Sequence, residues 1–124
     1  MHLLLDTHVF IWWAGRDPKL SEVARVAIIE AENRVVVSAV SVWKISIKRA
    51  SGKLVFQNDI LQALAKTGFE PLNITPRHAD RAGLLPFHHA DPFDRLLIAQ
   101  AQLEGLIPTA GIYDSGVIPL ESRM

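Results

Sequence analysis

Apolar and polar positions along this chain fall into blocks whose period switches between that of a strand and that of a helix. Residues 2–5 (HLLL) are a short apolar run ending at Asp6, the pattern of a buried strand with a polar tip. Residues 34–38 (RVVVS) are β-branched and short and predict a second strand, and 69–74 (FEPLNI) a third. Residues 106–110 (LIPTA) and 117–120 (VIPL) predict two more around the loop GIYDSG. Helical patterns fill the intervals. Val9, Phe10, Trp12 and Trp13 make a short helix closed by Gly15. Residues 17–33 predict a helix with Ser21 as N-cap and Val23, Ala27 and Ile28 on its apolar face. Ser41 is expected to open the next helix, with Trp43, Ile47 and Ala50 on one side and Gly52 as the stop signal. Asn58 or Asp59 caps a helix that ends at Gly68, and Pro76 sits near the first position of another over 75–85. The clearest helix is 91–105 (DPFDRLLIAQAQLEG), with an Asp cap, Pro in the first turn and Gly at its end.

Short apolar strands alternating with helices imply an α/β fold: a mostly parallel sheet with helices on both faces. The 124 residues suit one domain, 1–124, with no repeat and no linker. The reactive crevice of such sheets lies at the carboxyl ends of the strands. Asp6 sits at such an end, and so would Ser38 and Thr109.

Composition narrows the chemistry. With 49% hydrophobic residues the chain can bury a real core, which rules out disorder and disulfide-stapled scaffolds. It has no cysteine, so thiol catalysis and Cys-based zinc sites are excluded, and a reducing cytoplasm is the expected location. No run approaches the roughly 20 apolar residues of a membrane span, and the N-terminus lacks the cationic lead-in of a signal peptide. The formal net charge is zero, so nucleic-acid binding would need local basic patches, whose charge an acidic centre could cancel in the total.

Asp91 and Asp94 are three apart, which puts both carboxylates on one face of a helix start. The structural account of Asp91 is good: an N-cap followed by Pro92. Asp94 is different, because Leu96, Leu97, Ile98 and Ala101 make the helix largely apolar, and a carboxylate there needs a partner or a metal. Asp6 could be an ordinary helix cap. Converging with Asp94 above the sheet, however, it supplies hard oxygen ligands of the kind that suit Mg²⁺ or Mn²⁺. The five histidines do not make a zinc site: His88 and His89 are adjacent and point apart, while His8 and His78 lack HExxH spacing. No GxSxG elbow and no glycine-rich phosphate loop occurs. The three tryptophans read as core rather than as base-stacking platforms.

The segments LLLDTH, VSAVSVWKISIK, GFEPLNIT and LPFHHADPFDRLLIAQA resemble PIN-domain proteins of the VapC toxin group, in order and over nearly the whole chain. The resemblance implies a PIN-like three-layer sandwich, a cluster of acids binding Mg²⁺ or Mn²⁺, cleavage of single-stranded RNA by a metal-activated water, and inhibition by a small antitoxin. It implies that Asp6, Asp94 and Asp91 are the catalytic, metal-binding acids. Two positions depart from it. Lys44 stands where relatives carry a Glu after the tryptophan, and Gly111 stands where they often have an Asp, leaving Asp114 as the nearest acid. A Glu-to-Lys exchange shifts the local charge by two units, so the fold is expected to survive and catalysis to be impaired. The resemblance also implies a homodimer, for which Phe10, Trp12 and Trp13 offer a candidate apolar patch. A catalytically inactive PIN domain that binds antitoxin or RNA is the alternative reading. A DNA nuclease of the same fold is weaker, since no extra DNA-clamping segment is present.

Overall fold

The computed structural model describes residues 1–56, 59–86 and 91–109. Among these residues four strands, β1 (His2–Leu4), β2 (Arg34–Ser38), β3 (Glu70–Leu72) and β4 (Ile107–Pro108), form one sheet in the order β3-β2-β1-β4. Every pairing is parallel, with Leu3 opposite Val35 and Ile107, and Val37 opposite Pro71. Among the described residues six helices connect them: α1 (Thr7–Ala14), α2 (Glu22–Ile29), α3 (Ala39–Ala50), α4 (Ile60–Thr67), α5 (Pro76–Leu84) and α6 (Pro92–Glu104). The α/β architecture expected from the sequence is the one observed. The predicted strand 117–120 lies outside the described residues.

Alternation along the strands divides the core between two faces. Leu3, Leu5, Val35 and Val37 pack with Phe10 of α1, Ala24 and Ile28 of α2, and Ile60 of α4. Leu4 and Val36 point the other way, onto Leu97 and Ala101 of α6. Helices therefore cover both faces, and the central strands are apolar where they are covered, at Leu3–Leu4 and Val35–Val37, whereas the edge strand β3 is exposed at Glu70 and Pro71. Local signals set the helix ends. Ser21 accepts from Ala24 N at 3.1 Å, Asp59 accepts from Leu61 N at 2.8 Å, and Gly68 and Gly105 end α4 and α6 in the left-handed region at φ 74° and 66°.

Three expectations are corrected. Helix α3 begins at Ala39, because Ser38 rather than Ser41 is its cap, accepting from Val40 N at 2.9 Å. Ser41 is instead a buried residue inside the helix, its hydroxyl 3.0 Å from that of Thr7. The face of α3 that packs inward carries Val40 and Ile45, so Trp43, Ile47 and Ala50 are exposed. On α2, Ala24 takes the inward place expected of Val23, which faces solvent, and the helix is shorter, with residues 17–20 turning before it. The N-terminal aromatic patch does not form either. Phe10 is fully buried, and Trp12 and Trp13 pack partly buried against the core. The exposed large apolar side chains include Val26, Ile29, Trp43 and Leu61 instead. Among the described residues no helix is long and apolar enough to cross a membrane.

Candidate active site

The parallel strands place the start of α1, the start of α3 and the start of α6 at one end of the sheet. β1 delivers Asp6, which caps α1 by accepting from His8 N at 3.1 Å. The Asp6 backbone N–H donates to Thr109 Oγ1 at 2.9 Å, tying the end of β1 to the end of β4. Asp91 caps α6: its Oδ1 accepts from Phe93 N at 2.8 Å and from Asp94 N at 3.3 Å. Its capping role, read from the DP pair, is thus observed. Asp94 lies on the first turn of α6, open to solvent on one side rather than sunk among the apolar residues that follow it.

Lys44 reaches into this group from α3. Its side chain is only 12% exposed, and Nζ lies 3.9 Å from Asp91 Oδ2 and 5.6 Å from the centroid of the Phe93 ring. The Asp94 carboxyl shows how the charges interact, being held above the usual carboxylate range. Removal from water is the largest cause and repulsion from Asp91 the next; Asp6 adds to it, while Lys44 and His8 oppose it. The dipole of α6 favours the ionised form, yet burial and two like charges outweigh it. Asp6, Asp91, Asp94, Lys44 and His8 are accordingly one electrostatic unit. His8 Nδ1 lies 3.6 Å from Asp6 Oδ2.

As placed, the described acids are only in part available to a divalent ion. Among the described residues, no three His, Asp or Glu side chains are arranged to hold one metal ion. One oxygen of Asp91 is committed to two backbone N–H groups and the other faces an ammonium. Asp6 spends Oδ2 on the cap of α1. The positive charge next to the acids is supplied by Lys44. Gly111 and Asp114 lie outside the described residues, as do His88 and His89.

A profile of the PIN domain matches residues 3–112. The chain belongs to the PIN-domain family. It is 31% identical over 102 residues to Ribonuclease VapC22 of Mycobacterium tuberculosis, covering 80% of this chain and 78% of that protein, which places this PIN domain in the VapC group. The fold is shared with a toxin–antitoxin complex from Klebsiella pneumoniae, at a TM-score of 0.62 and 19% identity over 93% of this chain and 92% of that one. It is shared too with VapBC2 from Rickettsia felis bound to a DNA fragment from its promoter, at a TM-score of 0.60 and 13% identity over 87% and 86%.

Beneath the acids of this PIN domain runs a buried polar chain that the sequence reading missed. Ser38 Oγ donates to Gln100 Oε1 at 2.5 Å, and Gln100 Nε2 donates to Asn73 O at 3.3 Å and to His78 Nδ1 at 3.2 Å. His78 Nδ1 also accepts from Thr75 N at 3.0 Å, which assigns the ring proton to Nε2, where it is donated to Glu104 Oε2 at 3.1 Å. Two signals in the sequence pointed to it: a glutamine inside the apolar run of α6, and a glutamate one turn later on the same side.

The raised pKa of Asp94 has a consequence for stability. A carboxyl that holds its proton more tightly when folded weakens the fold as pH rises from its unfolded value of about 3.9 through its folded one. In EDTA, Asp94→Asn is therefore expected to melt higher than the parent at pH 7, with the difference closing as pH falls below the ordinary Asp range. Thermal melts across pH check this. A lower melting temperature for Asp94→Asn at neutral pH would show the carboxylate to be a net stabilising partner of Lys44.

Proposed function

We infer that this PIN domain is the VapC-type toxin of a toxin–antitoxin pair, with RNA as its target, and that its metal-dependent phosphodiester cleavage is impaired. Membership of the VapC group supports the first part, and the naming of its relative as a ribonuclease supports RNA as the substrate. One observation carries the impairment: Lys44 Nζ stands 3.9 Å from Asp91, inside the acidic group where the resemblance implies Mg²⁺ or Mn²⁺. An ammonium there raises the cost of bringing in a divalent cation by direct repulsion, and it lowers the negative charge that would attract one. What the chain's own groups do is position and balance charge. Asp6 and Asp91 hold the starts of α1 and α6, Lys44 offsets part of their charge, and Asp94 adds a carboxyl on the first turn of α6 beside them.

A small antitoxin is the expected protein partner, in keeping with the toxin–antitoxin complexes that share the fold. Self-association is proposed through the exposed apolar side chains of α2, Val26 and Ile29, rather than through the N-terminal aromatics. The binding-module reading gains from the same lysine, because RNA and antitoxin binding need no metal.

Incubating an end-labelled single-stranded RNA with the purified protein and Mn²⁺, beside an EDTA control, tests the assignment. The expected result is RNA that remains uncut over many hours. Cleavage that is lost both in EDTA and in Asp94→Asn would overturn the impairment and leave an active nuclease.

A further inference from the structure

Helix α3 carries two neighbouring rows. Trp43 and Ile47 are four apart, as are Lys44 and Lys48, so an aromatic and apolar row runs beside a cationic one. The helix contains no acid and three cations, Lys44, Lys48 and Arg49. Trp43 is 50% exposed, although an indole gains more by burial than almost any other side chain. Its ring is held rather than loose, meeting Phe93 edge-on at 4.9 Å between centroids. Phe93 lies in sequence between the acids Asp91 and Asp94, and Lys44 sits over its face. Beside Trp43 opens a groove of about 400 Å³, lined by Ser46, Leu61, Leu64, Leu72 and Asn73 among others.

We propose that Trp43 is the stacking platform for a nucleobase of single-stranded RNA, held in this groove next to the acidic group. Stacking needs a flat apolar face fixed in place, which the contact with Phe93 provides. Ser46 and Asn73 bring polar groups to the groove for the base edge. The cationic row favours a polyanion over a neutral apolar peptide, because phosphates linked to the stacked base can run along Lys48 and Arg49. Lys44 removes part of the repulsion that three carboxylates would otherwise exert on RNA. Binding here is therefore independent of divalent metal. This subsite rests on RNA being the target, and its test separates the two ideas.

A short fluorescein-labelled single-stranded oligoribonucleotide is titrated with the protein in EDTA and followed by anisotropy. The parent protein is expected to bind it, Trp43→Ala about five- to a hundredfold more weakly, and Trp43→Phe close to the parent. The same oligonucleotide carrying abasic sugars should bind the parent as weakly as the intact one binds Trp43→Ala. Circular dichroism confirms that the half-exposed position tolerates both changes. Intact and abasic RNA binding the parent equally well would overturn the stacking platform and leave RNA as target, pointing to an apolar peptide as the groove's occupant. Equal binding by Trp43→Ala and the parent would likewise sink the platform alone. No binding of RNA by the parent would sink both.

Discussion

Lys44→Glu is expected to lower the melting temperature in EDTA by about 5 °C and to raise Mn²⁺ affinity roughly tenfold or more. The change removes an ammonium 3.9 Å from Asp91 and adds a carboxylate to a group in which Asp94 already feels repulsion from Asp91 and Asp6. At this range a unit charge pair is worth about 4 kcal/mol with an effective dielectric near 20. The Asp91 side chain is 44% exposed, so screening reduces the loss of apo stability to about 1–2 kcal/mol. Mn²⁺ should then more than restore the melting temperature, because binding to the folded form alone adds stability by mass action. Partial recovery of RNA cleavage should accompany it. Thermal melts of both forms, with Mn²⁺ and with EDTA, check the prediction. Identical responses would show that the Lys44 ammonium exerts no control over the acidic group.

The second large effect lies in the buried polar chain. Gln100→Ala should destabilise the protein by about 2–4 kcal/mol, because it opens a cavity and removes the partner of the buried Ser38 hydroxyl and His78 ring. Gln100 is fully buried and satisfies Ser38 Oγ, Asn73 O and His78 Nδ1 at once. Ser38 is also the cap of α3, so loosening it disturbs the helix that carries Trp43 and Lys44. Gln100→Met keeps most of the volume and should cost less, isolating the hydrogen-bond share of the loss. Urea denaturation of the three proteins measures it. A change within a few tenths of a kcal/mol for Gln100→Ala would show that the network contributes nothing to stability.

Much of this was legible in the sequence because the relevant signals are local. The apolar runs at 2–5 and 34–38, the DP pair at Asp91 and the glycines at 68 and 105 each act within one turn or one strand, and each appears as read. The register of α3 was not legible. The segment SAVSVW offers two serines as caps, and the choice is made by tertiary contacts: Ser41 is drawn inward to Thr7, and Ser38 is held by Gln100. The inward face of the helix is the one carrying Val40, Ser41 and Ile45, so Trp43 came out exposed where a core residue was expected. Helix α3 packs toward both core clusters through Val40 and Ile45, and no periodicity within twelve residues discloses which neighbours it will meet. The acidic group was half legible. Asp6, Asp91 and Asp94 were found from chain position and the caps at Asp6 and Asp91 were readable, but which oxygen meets which N–H is a matter of local geometry. The proximity of Lys44 followed from the resemblance, and its pairing with Asp91 in particular is a detail of side-chain packing.

On the proposed function, Lys44 supplies the charge for which a metal would otherwise be needed. A calorimetric titration of the unaltered protein with Mn²⁺ addresses it most directly. No saturable heat is expected until Mn²⁺ reaches the millimolar range, with RNA binding undiminished in EDTA. One tight, stoichiometric site in the low micromolar range, with Lys44 intact, would contradict it.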